Sequence, residues 1–359
     1  MNIFRKPVTL ANEKKPPLVK YQSNMQRAAF LTLTTQQQRV KFNELNELEA
    51  KRITEGLNNE DSIWSLKAAL DKKNKSRNRY SNVSPYDASR VKIPVVDEKV
   101  FSDYFNASYI RLETSGGLLQ NEYIACQGPL GTTRNHFWSM CFHESEKQGN
   151  NVIVIVMVTP LIEQGMTKCD KYWPELGEMW DFSAENERDG ILYKEMKVVN
   201  KNETYGANDD FIVTELEVQS RNKTKKVYHF YYYKWSDAKV PPSIQSLSNL
   251  SHHIDKVKKS IGKETGKVKE PVPIVHCSAG VGRSGTFLVY DHLFKDQSRF
   301  RDLIMSGAGK KDIIFKAVSQ LRDKRMMMVQ TVYQYHFLYD AARIMSVLPE
   351  TIVEEVESA

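Results

Sequence analysis

Apolar residues recur at helical spacing from Thr35 onward, with Phe42, Leu45, Leu48, Ile53 and Leu57 on one stripe, and predict a first long helix. A shorter helical stretch, WSLKAALDKK (64–73), leads into the polar loop NKSRNRYSNVSP (74–85). The period then changes. FIVTELEVQ (211–219) alternates and puts Ile212, Thr214, Leu216 and Val218 on one face, and KVYHFYYYKW (226–235) is rich in aromatic and β-branched residues; both predict strands. The unbroken apolar run VIVIVMV (152–158) predicts a central strand covered on both faces, as in a largely parallel sheet. That run is far short of the ~20 residues of a membrane-spanning helix. The last quarter returns to helix in TFLVYDHLF (286–294), DIIFKAVSQLRDKR (312–325) and TVYQYHFLYDAARIM (331–345). No repeat or low-complexity linker divides these segments, so they predict a mixed α/β fold in a single domain over residues 34–347.

The ends break the pattern. Residues 1–33 are basic and proline-interrupted, with Arg5, Lys6, Lys14, Lys15, Lys20 and Arg27 against Glu13, and are expected to form a flexible tail. Residues 348–359 carry Glu350, Glu354, Glu355 and Glu357 without a base and are expected to form an acidic tail. The opening residues resemble neither a signal peptide nor an Arg/Ser-rich transit helix. The 359-residue chain has a net charge of +7, but its 26% charged residues are ordinary for a solvated surface, so nucleic acid is not an expected partner.

Cys126, Cys141, Cys169 and Cys277 are too widely spaced for a C-x-x-C pair. They suggest reduced thiols in a cytoplasmic protein, with the nucleus accessible. None of the eight histidines sits at metal-ligand spacing, and H-E-x-x-H is absent, so no metal site is expected. The sequence carries no signal for an oligomeric state.

The densest chemistry lies in VHCSAGVGRSG (275–285). Gly280, Gly282 and Gly285 have the G-x-G-x-x-G spacing of a dinucleotide-binding turn. That reading needs a second strand ending in an acidic residue about 20 positions on. Asp302 stands near that distance, but no strand pattern precedes it. The rival reading is C-x5-R. Cys277 and Arg283 bracket five residues, and PVPIV followed by GTFLVYDHLF places them between a strand and a helix N-terminus, where backbone N–H groups collect an anion. A thiol attacks phosphorus as thiolate, and a helix N-terminus with a nearby Arg lowers its pKa from about 8.5. Ser278, Ala279, Gly280, Val281 and Gly282 line such a nest, and Arg283 offers a planar fork to two phosphate oxygens. Ser284 can donate to the departing sulfur. An inert buried Cys needs neither the nest nor the Arg.

VHCSAGVGRSGTF resembles the active-site motif of the tyrosine-specific protein phosphatases. NRYSNVSPYDASRV (78–91), DYFNASYI (103–110), YIACQGP (123–129), KCDKYWP (168–174), KWSDAKVP (234–241) and MVQTVYQYHF (328–337) resemble further motifs of that family, in its order. The resemblance runs over about residues 35–346 and is nearest to the single-domain, non-receptor enzymes, including the fungal cytosolic ones. It implies the cysteine-phosphatase fold, one α/β domain around a twisted mixed β-sheet flanked by helices. It also implies hydrolysis of phosphotyrosine in proteins through a cysteinyl-phosphate, with no metal or other cofactor.

Residue by residue, the resemblance makes Asp237 in WSDAK the general acid and then base, and Gln330 and Gln334, whose i, i+4 spacing near the start of a predicted helix puts them on one face, the pair that positions water. It makes Tyr80 the wall of a deep slot and Asn82 a contact to substrate backbone. His276 and Tyr172 are implied to support the nucleophile, and Glu163 in LIEQG to brace Arg283. Three positions depart from the family pattern: Ser236 stands for a Pro, Ala238 for an aromatic residue and Asn82 for an Asp. The altered acid loop supports one alternative, a pseudophosphatase that binds phosphotyrosine without cleaving it.

Overall fold

A computed structural model describes residues 28–265, 270–306 and 311–347. The expected basic tail up to residue 27 and the acidic tail 348–359 lie outside the described residues. Among the described residues eleven strands are formed: β1 (Arg90–Lys92), β2 (Tyr104–Glu113), β3 (Gln120–Cys126), β4 (Val152–Met157), β5 (Ile162–Glu163), β6 (Met166–Thr167), β7 (Met179–Asp181), β8 (Met196–Tyr205), β9 (Ile212–Ser220), β10 (Lys223–Tyr231) and β11 (Ile274–His276). The helices are α1 (Thr35–Asn58), α2 (Lys67–Leu70), α3 (Arg134–Lys147), α4 (Ser183–Arg188), α5 (Ile244–Thr265), α6 (Gly282–Phe294), α7 (Gln297–Met305), α8 (Ile313–Lys324) and α9 (Val332–Val347).

Nine strands form one mixed sheet in the order β1-β2-β3-β11-β4-β10-β9-β8-β7, and β5 and β6 make a separate hairpin. VIVIVMV is the centre of this sheet, as its pattern predicts. The sheet is less parallel than that run suggests: only β3, β11, β4 and β10 run parallel, and the outer pairs are antiparallel. The flanks are antiparallel because short connections join β2 to β3 and β8 through β10, whereas parallel neighbours need a crossover.

The run is apolar throughout because β4 feeds two cores. Val154, Val156 and Val158 face the helices α1, α5, α6, α8 and α9, while Ile153, Ile155 and Met157 face α3 and its aromatic residues Phe137, Trp138 and Phe142. Burial of each such side chain contributes about 1.5–3 kcal/mol. At the helix ends, Thr34 and Gln37 form a reciprocal capping box on α1, and Asp312 accepts the Phe315 N–H at the start of α8.

The long first helix, the alternating strands and the C-terminal helices match the sequence pattern. WSLKAALDKK does not form one helix: α2 stops at Leu70 and a 3-10 segment spans Lys72–Arg77. Residues 28–33, assigned by pattern to the tail, join the fold. Ala28, Phe30 and Leu31 are buried, and Arg343 donates to the Leu31 and Leu33 carbonyls at 2.9 and 2.7 Å.

Candidate active site

The short buried strand β11 ends at the sheet centre and delivers Cys277 into a tight loop that runs straight into α6. Gly280 holds φ +73°, and a Cβ there would lie 2.0 Å from the Cys126 carbonyl, so only glycine lets the loop turn this close to β3. The loop curls around the sulfur: the Gly280 N–H points at Cys277 Sγ at 3.3 Å. Burial pushes the Cys277 thiol up, but Arg283, the Ser284 hydroxyl and the backbone N–H groups of Ser284 and Val281 outweigh it and leave the thiol below its ordinary value. Ser284 Oγ is buried and has no partner of hydrogen-bond geometry, so its effect on the sulfur is that of a nearby dipole. The other thiols behave oppositely: burial, against the pull of the Arg325 charge, drives Cys126 up to about 12.

Arg283 sits in the first turn of α6 and is 1% exposed. Nη1 donates to the Trp235 carbonyl at 2.8 Å, yet Nε and Nη2 have no hydrogen-bond partner. A buried guanidinium with one arm tied and two N–H groups without hydrogen bonds keeps donors to spare for an anion.

Asp237 hangs over this edge. Its carboxylate lies 2.9 Å from Lys168 Nζ and 3.3 Å from Arg283 Nη2. Half-burial pushes the carboxyl up, but the Lys168 bond and the Arg283 charge pull it below the usual range. The loop is a turn closed by the Lys239 N–H on the Ser236 carbonyl, with Ala238 at φ +55°. Glu163, on the β5–β6 hairpin, accepts the Asp237 N–H at 2.9 and 3.1 Å, whereas its approach to Arg283 is 3.5 Å. Glu163 therefore holds the acid loop more directly than it braces Arg283.

Tyr80 borders the loop. Ser278 Oγ donates its single proton to the Lys168 carbonyl at 2.6 Å, so Tyr80 OH must be the donor in their 2.7 Å contact. Arg79 fixes this segment through the Gly128 and Pro129 carbonyls and Asp170. Asn82 is exposed two residues on.

Gln330 and Gln334 converge, but not as a pair along one helix face. Gln330 precedes α9, and Gln334 reaches back to accept its N–H at 3.1 Å. Both crowd Gly282, where a Cβ would meet their side chains at 3.1–3.2 Å.

His276 does not face the sulfur. Its Nδ1 lies 2.9 Å from the Cys277 carbonyl, which can only accept, so Nδ1 carries the proton. Burial lowers His276 to about 4, keeping it neutral, so Nε2 accepts from Tyr172 OH at 2.7 Å. The Tyr172 oxygen then accepts from His229 Nε2 at 2.8 Å. The sequence reading singled out neither His229 nor Lys168 nor Arg325, which also touches the loop. Only the KCDKYWP motif gave a signal for one of them, Lys168.

No strand follows β11 among the described residues, and Asp302 lies within α7, so the dinucleotide reading of the glycines is excluded. Among the described residues no His, Cys, Asp and Glu cluster is placed to hold a metal ion.

Residues 74–343 match the family described as Protein-tyrosine phosphatase. Tyrosine-protein phosphatase 1 of Saccharomyces cerevisiae is 33% identical over 330 residues, covering 86% of this chain and 94% of that protein. Tyrosine-protein phosphatases 1 and 2 of Schizosaccharomyces pombe are 33% and 36% identical across 84% of the chain, which spans only 50% and 38% of their lengths. Among solved structures, one described as the structural basis of PTPN18 fingerprint on distinct HER2 tyrosine phosphorylation sites is similar at 26% identity and TM-score 0.67, covering 91% of this chain and 99% of that one. PTPN18 in complex with HER2-pY1196 phosphopeptides is similar at 25% identity and TM-score 0.68, with the same coverage.

Proposed function

The chain belongs to the protein-tyrosine phosphatase family and is a protein-tyrosine phosphatase, and we propose that the residues gathered around Cys277 perform its reaction as follows. Cys277 Sγ attacks phosphorus while Arg283 takes two equatorial oxygens on Nε and Nη2. The bond from phosphorus to the tyrosine oxygen breaks, its electron pair stays on that oxygen, and Asp237 supplies the proton. Water held by Gln330 and Gln334 then attacks the cysteinyl-phosphate. Asp237 takes the water's proton, the S–P bond breaks, and the Ser284 hydroxyl donates toward the departing sulfur. The observation that carries this reading is the buried Arg283 edge, whose Nε and Nη2 have no hydrogen-bond partner and only an ion-pair contact from Nη2 to the Asp237 carboxylate at 3.3 Å, beside a thiol held below its ordinary pKa.

Asp237 is held as carboxylate in the free protein, but the acid role needs its proton. Substrate supplies the change. A phosphate dianion engages Arg283, cancels one charge that favours the carboxylate and adds a like charge beside it, so binding raises the proton affinity of Asp237.

Tyr80 makes the side of a slot whose floor is the Cys277 loop, a depth that suits phosphotyrosine over the shorter phosphoserine. Exposed, uncharged Asn82 offers the peptide backbone a neutral hydrogen bond. The partners proposed are phosphotyrosine-containing proteins in the cytoplasm; among the described residues no helix is long and apolar enough to cross a membrane. The pseudophosphatase alternative has no support: Cys277, Arg283 and Asp237 are all present, and Arg283 contacts Asp237 and acts on the Cys277 thiol.

The test is hydrolysis of phosphotyrosine and phosphoserine peptides, with chelator present, by the wild type and Cys277→Ser. Turnover of phosphotyrosine alone, abolished by the substitution, is the expected result. Turnover surviving in Cys277→Ser removes the nucleophile assignment, and equal phosphoserine turnover removes the depth argument.

A further inference from the structure

Arg325, at the C-terminal end of α8, is completely buried and lies behind the Cys277 loop. Its Nε donates to the Gly280 carbonyl at 2.9 Å and Nη2 to the Ala279 carbonyl at 2.9 Å. Its remaining partners are Asn106 Oδ1 at 2.7 Å and Ser108 Oγ at 3.2 Å. All four acceptors are neutral, and no carboxylate pairs with Arg325 among the described residues. The titratable groups facing it are Cys126, Tyr104 and Cys277. A buried cation without a counter-charge is expensive to keep.

The two carbonyls it holds are informative. In a planar trans peptide, the C=O of one residue and the N–H of the next point in opposite directions. Pinning Ala279 C=O outward turns the Gly280 N–H inward, and that N–H lies 3.3 Å from Cys277 Sγ. Pinning Gly280 C=O does the same for the Val281 N–H, which also acts on Cys277. Arg325 thus grips, from the rear, two of the peptide units that face the sulfur.

We propose that Arg325 is a positioning residue of this phosphatase, aligning two loop N–H groups on the reacting sulfur and phosphoryl oxygens and placing an uncompensated positive charge behind them. The counter-charge is the thiolate, and then the bound phosphate. The inference rests on Cys277 being the nucleophile.

The test compares wild type, Arg325→Met and Arg325→Lys in the full chain. It reads the rate of Cys277 alkylation by iodoacetamide against pH and the Kd of tungstate, with Tm recorded in parallel. Peptide mapping isolates Cys277, since burial pushes the Cys126, Cys141 and Cys169 thiols up whereas Cys277, also buried, is held below its ordinary value. Arg325→Met is expected to alkylate about tenfold more slowly near pH ~6 and to bind tungstate about tenfold more weakly. Arg325→Lys, which keeps the charge but not the fork, is expected to fall between the two. A lower Tm with wild-type alkylation and tungstate binding makes Arg325 merely structural and overturns the proposal.

A wild-type measurement covers variants that do not fold. The Arg325 Nε–H resonance should shift as Cys277 titrates and again when tungstate binds; no shift in either overturns the proposal. Failure of the underlying assignment looks different, because Cys277→Ser then retains turnover whatever Arg325 does.

Discussion

The loop after β11 and the loop after β10 meet at Arg283, yet they are built differently. The Cys277 loop is buried, hydrogen-bonded from behind by Arg325 and continuous with α6. The Asp237 loop is half-exposed and held from outside by Glu163, Lys168 and Arg283, with Ala238 in the left-handed region at φ +55°. In the proposed reaction the nucleophile has to be in place before substrate arrives, because fixed dipoles would stabilise its thiolate. The proposed acid has to admit a substrate and release a product, which suits contacts that are few, polar and breakable. Arg283 links the two loops: the residue proposed to receive phosphate also grips the Trp235 carbonyl beside Asp237.

The contrast can be broken most severely at Asp237. Asp237→Ala is expected to lower kcat by about 10²–10⁴-fold with little change in substrate binding, as measured by steady-state kinetics and peptide affinity. A KM effect without a kcat effect removes the acid role. Lys168→Met comes next. It deletes the hydrogen bond and charge that favour the carboxylate, so the Asp237 proton is held to higher pH. The alkaline limb of the kcat profile is expected to move upward, with kcat reduced about tenfold by poorer positioning. An unmoved limb means that Lys168 leaves the acid untouched in the complex.

Smaller effects test how the acid loop is poised. An alanine in the left-handed region costs about 1–2 kcal/mol, and the third position of this turn favours glycine. Ala238→Gly is therefore expected to slow exchange of the Asp237 and Lys239 amides several-fold; unchanged or faster exchange means that no strain is stored there. Smallest of all, Tyr80→Phe removes one hydrogen bond to Ser278. Its kcat/KM on a phosphotyrosine peptide is expected to fall less than about fivefold, about 1 kcal/mol. A larger loss gives the hydroxyl, rather than the ring, the main role in the slot.

These two regions also differ in how far the sequence reveals them. Cys277, Arg283 and the glycines lie within eleven consecutive residues, so strand, turn and helix start can be read from spacing alone. The sheet centre is legible for a similar local reason, since an unbroken apolar run fits a strand packed between two cores. Asp237, Tyr80 and the two glutamines needed the family's motifs, because the chain brings them in from far away. Beyond those motifs the signal fades. Lys168 reaches Asp237 from 69 residues away and Arg325 reaches the Ala279 carbonyl from 46; the KCDKYWP motif contains Lys168 without announcing its contact, and nothing near Arg325 announces its own.

Two helices were hidden for physical reasons. α3 is buried on most sides, so it shows little amphipathic period, and α5 starts behind the Pro241–Pro242 pair, which reads as a loop. The glutamine pair shows the limit of periodicity: i, i+4 spacing suggested a shared helix face, but the helix begins only at Val332 and side-chain capping brings the two together.

The most direct measurement is of the covalent intermediate. Turnover of a phosphotyrosine peptide, quenched in acid within the first cycles and digested for mass spectrometry, should place phosphate on the peptide containing Cys277 and on no other cysteine. Full turnover with no phosphate trapped on Cys277, or phosphate carried by another residue, contradicts the account.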